Sequence, residues 1–137
     1  MKLSIAAALI LGTAAAIYAV SHSRAQQPPA PTGPMVYYTT PLENDASRVV
    51  RLQSVTVQPG GSNNFHRHPG DQWAAIQEGE VTFTIKGQPP RILKAGDSVY
   101  IPRGTIHRNQ NLGDKPSRSI ELLVVDKDKP ITEPVPD

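Results

Sequence analysis

Residues 59–79 read PGGSNNFHRHPGDQWAAIQEG, and the reading of this stretch decides both the fold and the site. His66 and His68 stand two positions apart, the spacing at which side chains on a β-strand project from one face. Gln72 follows four positions after His68, on the same parity, beyond a break at Pro69-Gly70-Asp71. A second stretch, residues 96–111 (GDSVYIPRGTIHRNQN), brings a third histidine, His107. The chain has four histidines, and the fourth, His22, lies in a leader expected to be removed. Every histidine of the remaining chain then belongs to one constellation. A lone histidine reads as a packed, hydrogen-bonded core residue; three in one constellation make a candidate site.

The 137 residues suffice for one domain with a real core. Residues 3–20 are apolar or small, preceded by Lys2 and followed by Ser23-Arg24-Ala25. This is the pattern of a secretory signal cut after Ala25, which gives residues 1–25 as a leader and a periplasmic or secreted protein. An uncleaved anchor is the alternative reading, since the apolar run is close to the shortest that spans a bilayer. Loss of Lys2 and Arg24 from the 14 basic residues leaves twelve against 12 acidic ones. The excess of positive charge belongs to the leader, so nothing argues for nucleic acid or, after signal removal, for a membrane surface. There is no cysteine, so export brings no disulfide and any metal site must use nitrogen and oxygen.

Residues 26–34 (QQPPAPTGP) read as an extended, polyproline-like linker, and residues 35–137 as the domain. Strand formers at 35–40 open it, with a turn-like segment at 41–47. Residues 48–58 form a strand pair or one long, bent strand. Further strands are expected at 65–68, 72–77, 81–86, 91–94, 98–101 and 105–111, and a continuous apolar strand at 119–125 buried on both faces. An edge strand and a loose tail follow. No segment after the leader sustains a helical apolar period. Short strands with turns every eight to twelve residues point to an all-β sandwich or barrel, and about eight to ten strands favour a double-sheet jelly roll. Val55, Val57, Val81, Phe83, Ile85, Val99, Ile101, Leu122 and Val124 are the expected core.

The two histidine stretches resemble the two motifs of the cupin superfamily. Gly60, five residues, His66-x-His68, three residues, Gln72, six residues and Gly79 match the first motif, with Gln72 where the family usually has glutamate. Gly96, five residues, Pro102-x-Gly104, two residues, His107, three residues and Asn111 match the second in full. The resemblance covers about residues 50–125 and implies a single double-stranded β-helix barrel, of the small, exported, single-domain type. It implies that His66, His68, Gln72 and His107 bind one divalent metal inside the barrel, with one or two positions open. Nitrogen and oxygen ligands suit Mn, Fe, Ni, Cu and Zn alike. Loading outside the cytoplasm favours copper or zinc; family usage favours iron, manganese or nickel.

Gln72 is the informative departure, because an amide oxygen cancels none of the metal's charge and leaves a stronger Lewis acid. The alternative is a three-histidine site with Gln72 hanging beside it. The His-His-Gln-His set resembles that of manganese-dependent cupin hydroxynitrile lyases, and three-histidine sites resemble those of cupin dioxygenases. Asn109 should face the interior, either near the substrate or as a structural residue, and Asn111 should fix a turn. Trp73 should point away from Gln72, with outer packing or a homodimer interface favoured over a place in the pocket wall. Tyr100 and Phe65 read as packing residues, Arg103 as a solvated turn residue. Glu78 and Glu121 are carboxylates near the motifs without an assigned place.

Two functions stay open. The first is a metal-dependent enzyme on a small organic substrate, either a dioxygenase or a redox-neutral lyase or isomerase. The second is a non-catalytic cupin module that binds a metal or small ligand.

Overall fold

The computed structural model describes residues 33–136; the expected leader, residues 26–32 of the linker and residue 137 lie outside the described residues. Ten strands make up its regular structure: β1 (Gly33–Leu42), β2 (Asp45–Val57), β3 (His66–Arg67), β4 (Gly70–Glu78), β5 (Glu80–Ile85), β6 (Arg91–Lys94), β7 (Ser98–Ile101), β8 (His107–Gln110), β9 (Ser117–Asp126) and β10 (Glu133–Pro134). They form two antiparallel five-stranded sheets, ordered β1-β2-β9-β4-β7 and β10-β3-β8-β5-β6. This is the expected all-β double sheet.

The first strand begins at Gly33 and runs to Leu42, so the last two linker residues and Pro41-Leu42 of the expected turn already pair with β2. A tight turn at Glu43-Asn44 suffices to reverse the chain, and β2 is one long strand rather than a pair. The apolar core lies between the sheets: Ile76, Val81, Phe83, Leu93 and Ile101, with Ile85 and Val99 packed against them. Alternation on β5 places Val81 and Phe83 inward as expected.

Two expectations need correction. The break at Pro69-Gly70-Asp71 is shorter than its composition suggests, because Gly70 and Asp71 already pair with Val125 and Val124 of β9. Gly70 is required there by close approach: a Cβ would collide with the Val124 carbonyl oxygen and sit 2.5 Å from the Val125 Cα. The second correction concerns β9. Leu122 and Val124 point outward and are half-buried; Glu121, Leu123 and Val125 point inward, with Leu123 and Val125 fully buried. An unbroken apolar run carries no alternation from which to read its parity, and among the described residues no further layer covers the outer face of this sheet.

That outer face carries one continuous row. Tyr38 opposes Leu52, Leu52 opposes Leu122, Leu122 opposes Trp73, and Trp73 opposes Tyr100, across all five strands. Trp73 and Tyr100 stack with centroids 5.2 Å apart, and each remains about half exposed. Trp73 thus points away from Gln72, as expected.

Candidate metal centre

The site is assembled by one strand junction. β3 and β8 meet at the single pair His66↔His107, which sets histidines from the two motifs side by side. His68 follows on the inward parity of His66. The chain then crosses from the second sheet to the first at Pro69 without losing that parity, so Gly70, Gln72, Ala74 and Ile76 are buried in turn along β4.

The three imidazoles face one another, with ring centroids 4.4 to 5.3 Å apart. One nitrogen from each lies within 4.8 Å of the others, so the three could hold one metal ion. Their outer nitrogens are all committed: His66 Nδ1 lies 2.8 Å from the Asn64 carbonyl oxygen, His68 Nδ1 2.6 Å from that of Ile131, and His107 Nδ1 2.9 Å from that of Thr105. A carbonyl only accepts, so each neutral ring carries its proton on Nδ1 and turns a bare Nε2 lone pair inward. Backbone carbonyls orient metal-bound imidazoles in this way.

Gln72 is buried against both His68 and Glu121. Its Oε1, like the Nε2 atoms of His68 and His107, is a buried atom with no hydrogen-bond partner among the described residues. Each unmade bond of this kind costs about 1–3 kcal/mol. Three together approach the whole net stability of a small domain, about 5–15 kcal/mol. Buried acceptors gathered in one place are what a cation would satisfy, so the donor set fits a divalent ion.

A cavity of about 300 Å³ opens onto His66, His68 and Gln72. Gln53, Asn63, Asn109 and Glu121 make its polar wall, Val55 and Val57 its apolar one; no lysine or arginine lines it among the described residues. Asn109 faces the interior as expected, and the backbone N–H of Asn109 donates to Asn63 Oδ1 at 2.6 Å.

Glu121 and Gln53 are the residues that sequence reasoning left unplaced. Glu121 is only 4% exposed and accepts from Gln53 Nε2 at 2.9 Å and from Ser119 Oγ at 3.0 Å. Burial pushes its carboxyl up, against the lowering effect of the hydrogen bonds from Gln53, Ser119 and Gln72. A lone carboxylate inside the apolar run SIELLVV was the signal for it. Gln53 shares parity with Val55, which was read as core.

The remaining residues fall outside the centre. Asn111 fixes its turn by donating to the Val57 and Lys115 carbonyls and accepting from Gly113 N–H. Glu78 pairs with Arg118 on the surface. Arg103 is tied to Asp126 and to the Pro69 carbonyl, and it holds the Asp126 carboxyl down at about 2. Phe65 lies under the Arg108 guanidinium, 4.6 Å from its ring centroid.

Burial, helped by the neighbouring His66 and His68, lowers His107 from its ordinary 6.5 to about 4, and burial likewise lowers His68. Both rings are therefore neutral and ligand-competent at neutral pH. In chelator-treated protein the unfolded chain takes up a proton at residue 107 that the folded state refuses, so this group costs stability as pH falls from 6.5 towards about 4. Glu121 runs the other way, since a raised carboxyl favours the folded state as pH falls. The informative quantity is thus the difference between wild type and His107→Gln. Denaturant titrations across this window should show the variant losing about 3 kcal/mol of the wild type's acid-side decline. Identical slopes would show that residue 107 is not buried as a neutral ring.

Comparison with known proteins is consistent with this geometry. The family model described as "Cupin domain" matches residues 53–125, a span that holds all three histidines, Gln72 and Glu121. The uncharacterized protein YdbB of Bacillus subtilis is 38% identical over 68 residues, 49% of this chain and 57% of that protein. Dimethylsulfoniopropionate lyase DddQ of Ruegeria pomeroyi is 38% identical over 58 residues, 42% of this chain and 28% of the lyase. The chain thus spans less than two thirds of each of these relatives. The crystal structure of the Ruegeria lyase superposes with a TM-score of 0.59 at 27% identity, over 72% of this chain and 50% of the lyase chain. A Klebsiella pneumoniae protein with a double-stranded β-helix domain gives 0.60 at 21% identity, over 80% of this chain and 90% of its own, a likeness of fold alone. With more than half its length matched by the family model, the chain belongs to the cupin family.

Proposed function

We propose that this cupin is a metal-dependent enzyme acting on a small, uncharged or weakly charged organic substrate by redox-neutral chemistry of the lyase or isomerase type. The observation that carries the proposal is the cluster of three bare, buried acceptors on His68, Gln72 and His107, of which His68 and Gln72 line a cavity of about 300 Å³. A cavity of that size suits a small organic molecule. In the proposed site, His66, His68 and His107 hold one divalent ion as neutral donors, and Gln72 adds its amide oxygen. When bound, the ion supplies a Lewis acid for a substrate oxygen. Gln72 contributes no charge, which keeps that Lewis acidity high and supports the redox-neutral reading over dioxygenation. A lining without lysine or arginine argues against a polyanionic substrate. The likeness to a protein named as a lyase supports the same class.

The test is metal analysis of protein stripped and reloaded with Mn²⁺ or Zn²⁺, followed by substrate screening with an oxygen electrode. Wild type should bind one ion per chain, and His66→Ala and His107→Ala should each retain less than about a tenth of it. Full retention in both variants would sink the assigned centre. Substrate loss without oxygen uptake is the expected turnover; stoichiometric oxygen uptake would instead make the protein a dioxygenase. Ligand-dependent thermal stabilisation with no product would reduce it to a binding module.

We also propose a homodimer formed through the row Tyr38, Leu52, Leu122, Trp73 and Tyr100. An aromatic row half open to water is a surface that a second copy would cover. Light scattering should give twice the chain mass for wild type and the monomer mass for Trp73→Glu; a monomeric wild type rejects the interface. Export is proposed on residues 1–25 alone, and mass spectrometry of the purified periplasmic protein should find an N-terminus at Gln26. An intact Met1 would speak for the anchor.

A further inference from the structure

The pair Gln72 and Glu121 sits where β4 lies against β9. Gln72 opposes Leu123 and Ala74 opposes Glu121, so the two long side chains are diagonal neighbours on one inward face. Gln53 opposes Glu121 from the other side of β9. Arg51 Nε donates to Gln53 Oε1 at 2.8 Å, and an arginine can only donate. The orientation of the Gln53 amide follows, with its Nε2 donating to Glu121 Oε2 at 2.9 Å. Ser119 Oγ donates to the other carboxylate oxygen. Gln72 lies beside Glu121 on that diagonal, and a carboxylate only accepts, so the end of Gln72 suited to face Glu121 is its NH₂. The other end of that amide, Oε1, is the buried atom without a partner beside His68.

We propose that Glu121 is a positioning residue for the metal centre: it grips the NH₂ of Gln72 and so turns Gln72 Oε1 toward the imidazoles. The inference rests on the metal-binding reading of the three histidines. It also accounts for the glutamine. A glutamate at 72 would lie against Glu121 as a second buried carboxylate, and the like charges would repel. One amide and one carboxylate avoid that, with the negative charge kept one side chain further from the ion. Carboxylates behind metal ligands act in this way on imidazoles; here the ligand being steered is an amide.

The experiment uses Co²⁺ as probe, with affinity from competition against a chelating dye and the d–d absorption bands as a report on the ligand set. Glu121→Gln leaves one carbonyl oxygen for three donors, so it should weaken Co²⁺ binding about 10–100-fold and shift the d–d bands. In a Gln72→Ala background the same substitution should change affinity by less than about 3-fold, because the residue it acts through is gone. The exchanged pair supplies a readout free of metal. In chelator, Gln72→Glu should lower Tm, and adding Glu121→Gln should restore it, along with Co²⁺ binding to within about 10-fold of wild type. Equal losses from Glu121→Gln in both backgrounds, or an exchanged pair no better than Gln72→Glu alone, overturn the pairing. Co²⁺ uptake that survives His107→Ala overturns the metal-site reading instead, and the pairing with it.

Discussion

Three hydrogen bonds from imidazole Nδ1 to backbone carbonyls determine what this protein can do. Without them each ring could present either nitrogen to the interior, as a donor or as an acceptor. With Asn64, Ile131 and Thr105 supplying only acceptors, each neutral ring is fixed as the tautomer whose Nε2 is bare. Two of those carbonyls belong to the histidines' own segments, two residues upstream of His66 and of His107, so local chain geometry is enough to orient them. The third, Ile131, comes from the segment just before β10. That short strand, pairing with β3 through Arg67↔Glu133 and His66↔Pro134, therefore closes the centre as well as the sheet.

The sheets supply the second constraint. Cupin-like sites need donors from both motifs at one depth in the barrel, and here the first motif is itself divided between sheets. His66 lies on β3 in the second sheet and His68 just beyond its end, while Gln72 lies on β4 in the first. Parity survives the crossing because Gly70 lets β4 start immediately after Pro69, pressed against the backbone of β9. A side chain at residue 70 would push β4 away from β9, displacing Gln72 and loosening its diagonal contact with Glu121.

The parts legible in the sequence were those with short-range spacing rules. The alternation on β5, the turns at glycine and the two-residue step between His66 and His68 each state their geometry locally. The convergence of His107 with them is a long-range fact, and only resemblance to a known pair of motifs implied it. What stayed hidden was parity on β9. In SIELLVV every residue but the serine and the glutamate is apolar, so neither face declares itself, and Leu122 and Val124 were assigned inward when Leu123 and Val125 hold that place. The one polar residue in the middle of the run should have been decisive. A carboxylate in a central strand, between β2 and β4, is either exposed on an open face or held for a purpose, and Glu121 is 4% exposed.

That same strand pair shows how one piece of backbone serves two separate chemistries. On β4 and β9 the inward residues Gln72 and Glu121 line the site, with Leu123 and Val125 buried on the same face, and the outward residues Trp73, Leu122 and Val124 form the half-open apolar face. Because the side-chain period of a strand is two, a slip of one residue between β4 and its neighbours would exchange these sets, putting Trp73 into the cavity and Gln72 on the surface. Register is therefore under strong selection by energy on both sides of the sheet at once. The large outward aromatics cannot fit the interior, and the inward carboxylate meets its donors only there, from Gln53 on β2 and from Ser119 on its own strand, with Gln72 of β4 beside it. The buried polar network, costly in isolation, thus works with the apolar row to specify a single pairing of the three central strands, and the position of Gln72 relative to the histidines follows from that pairing.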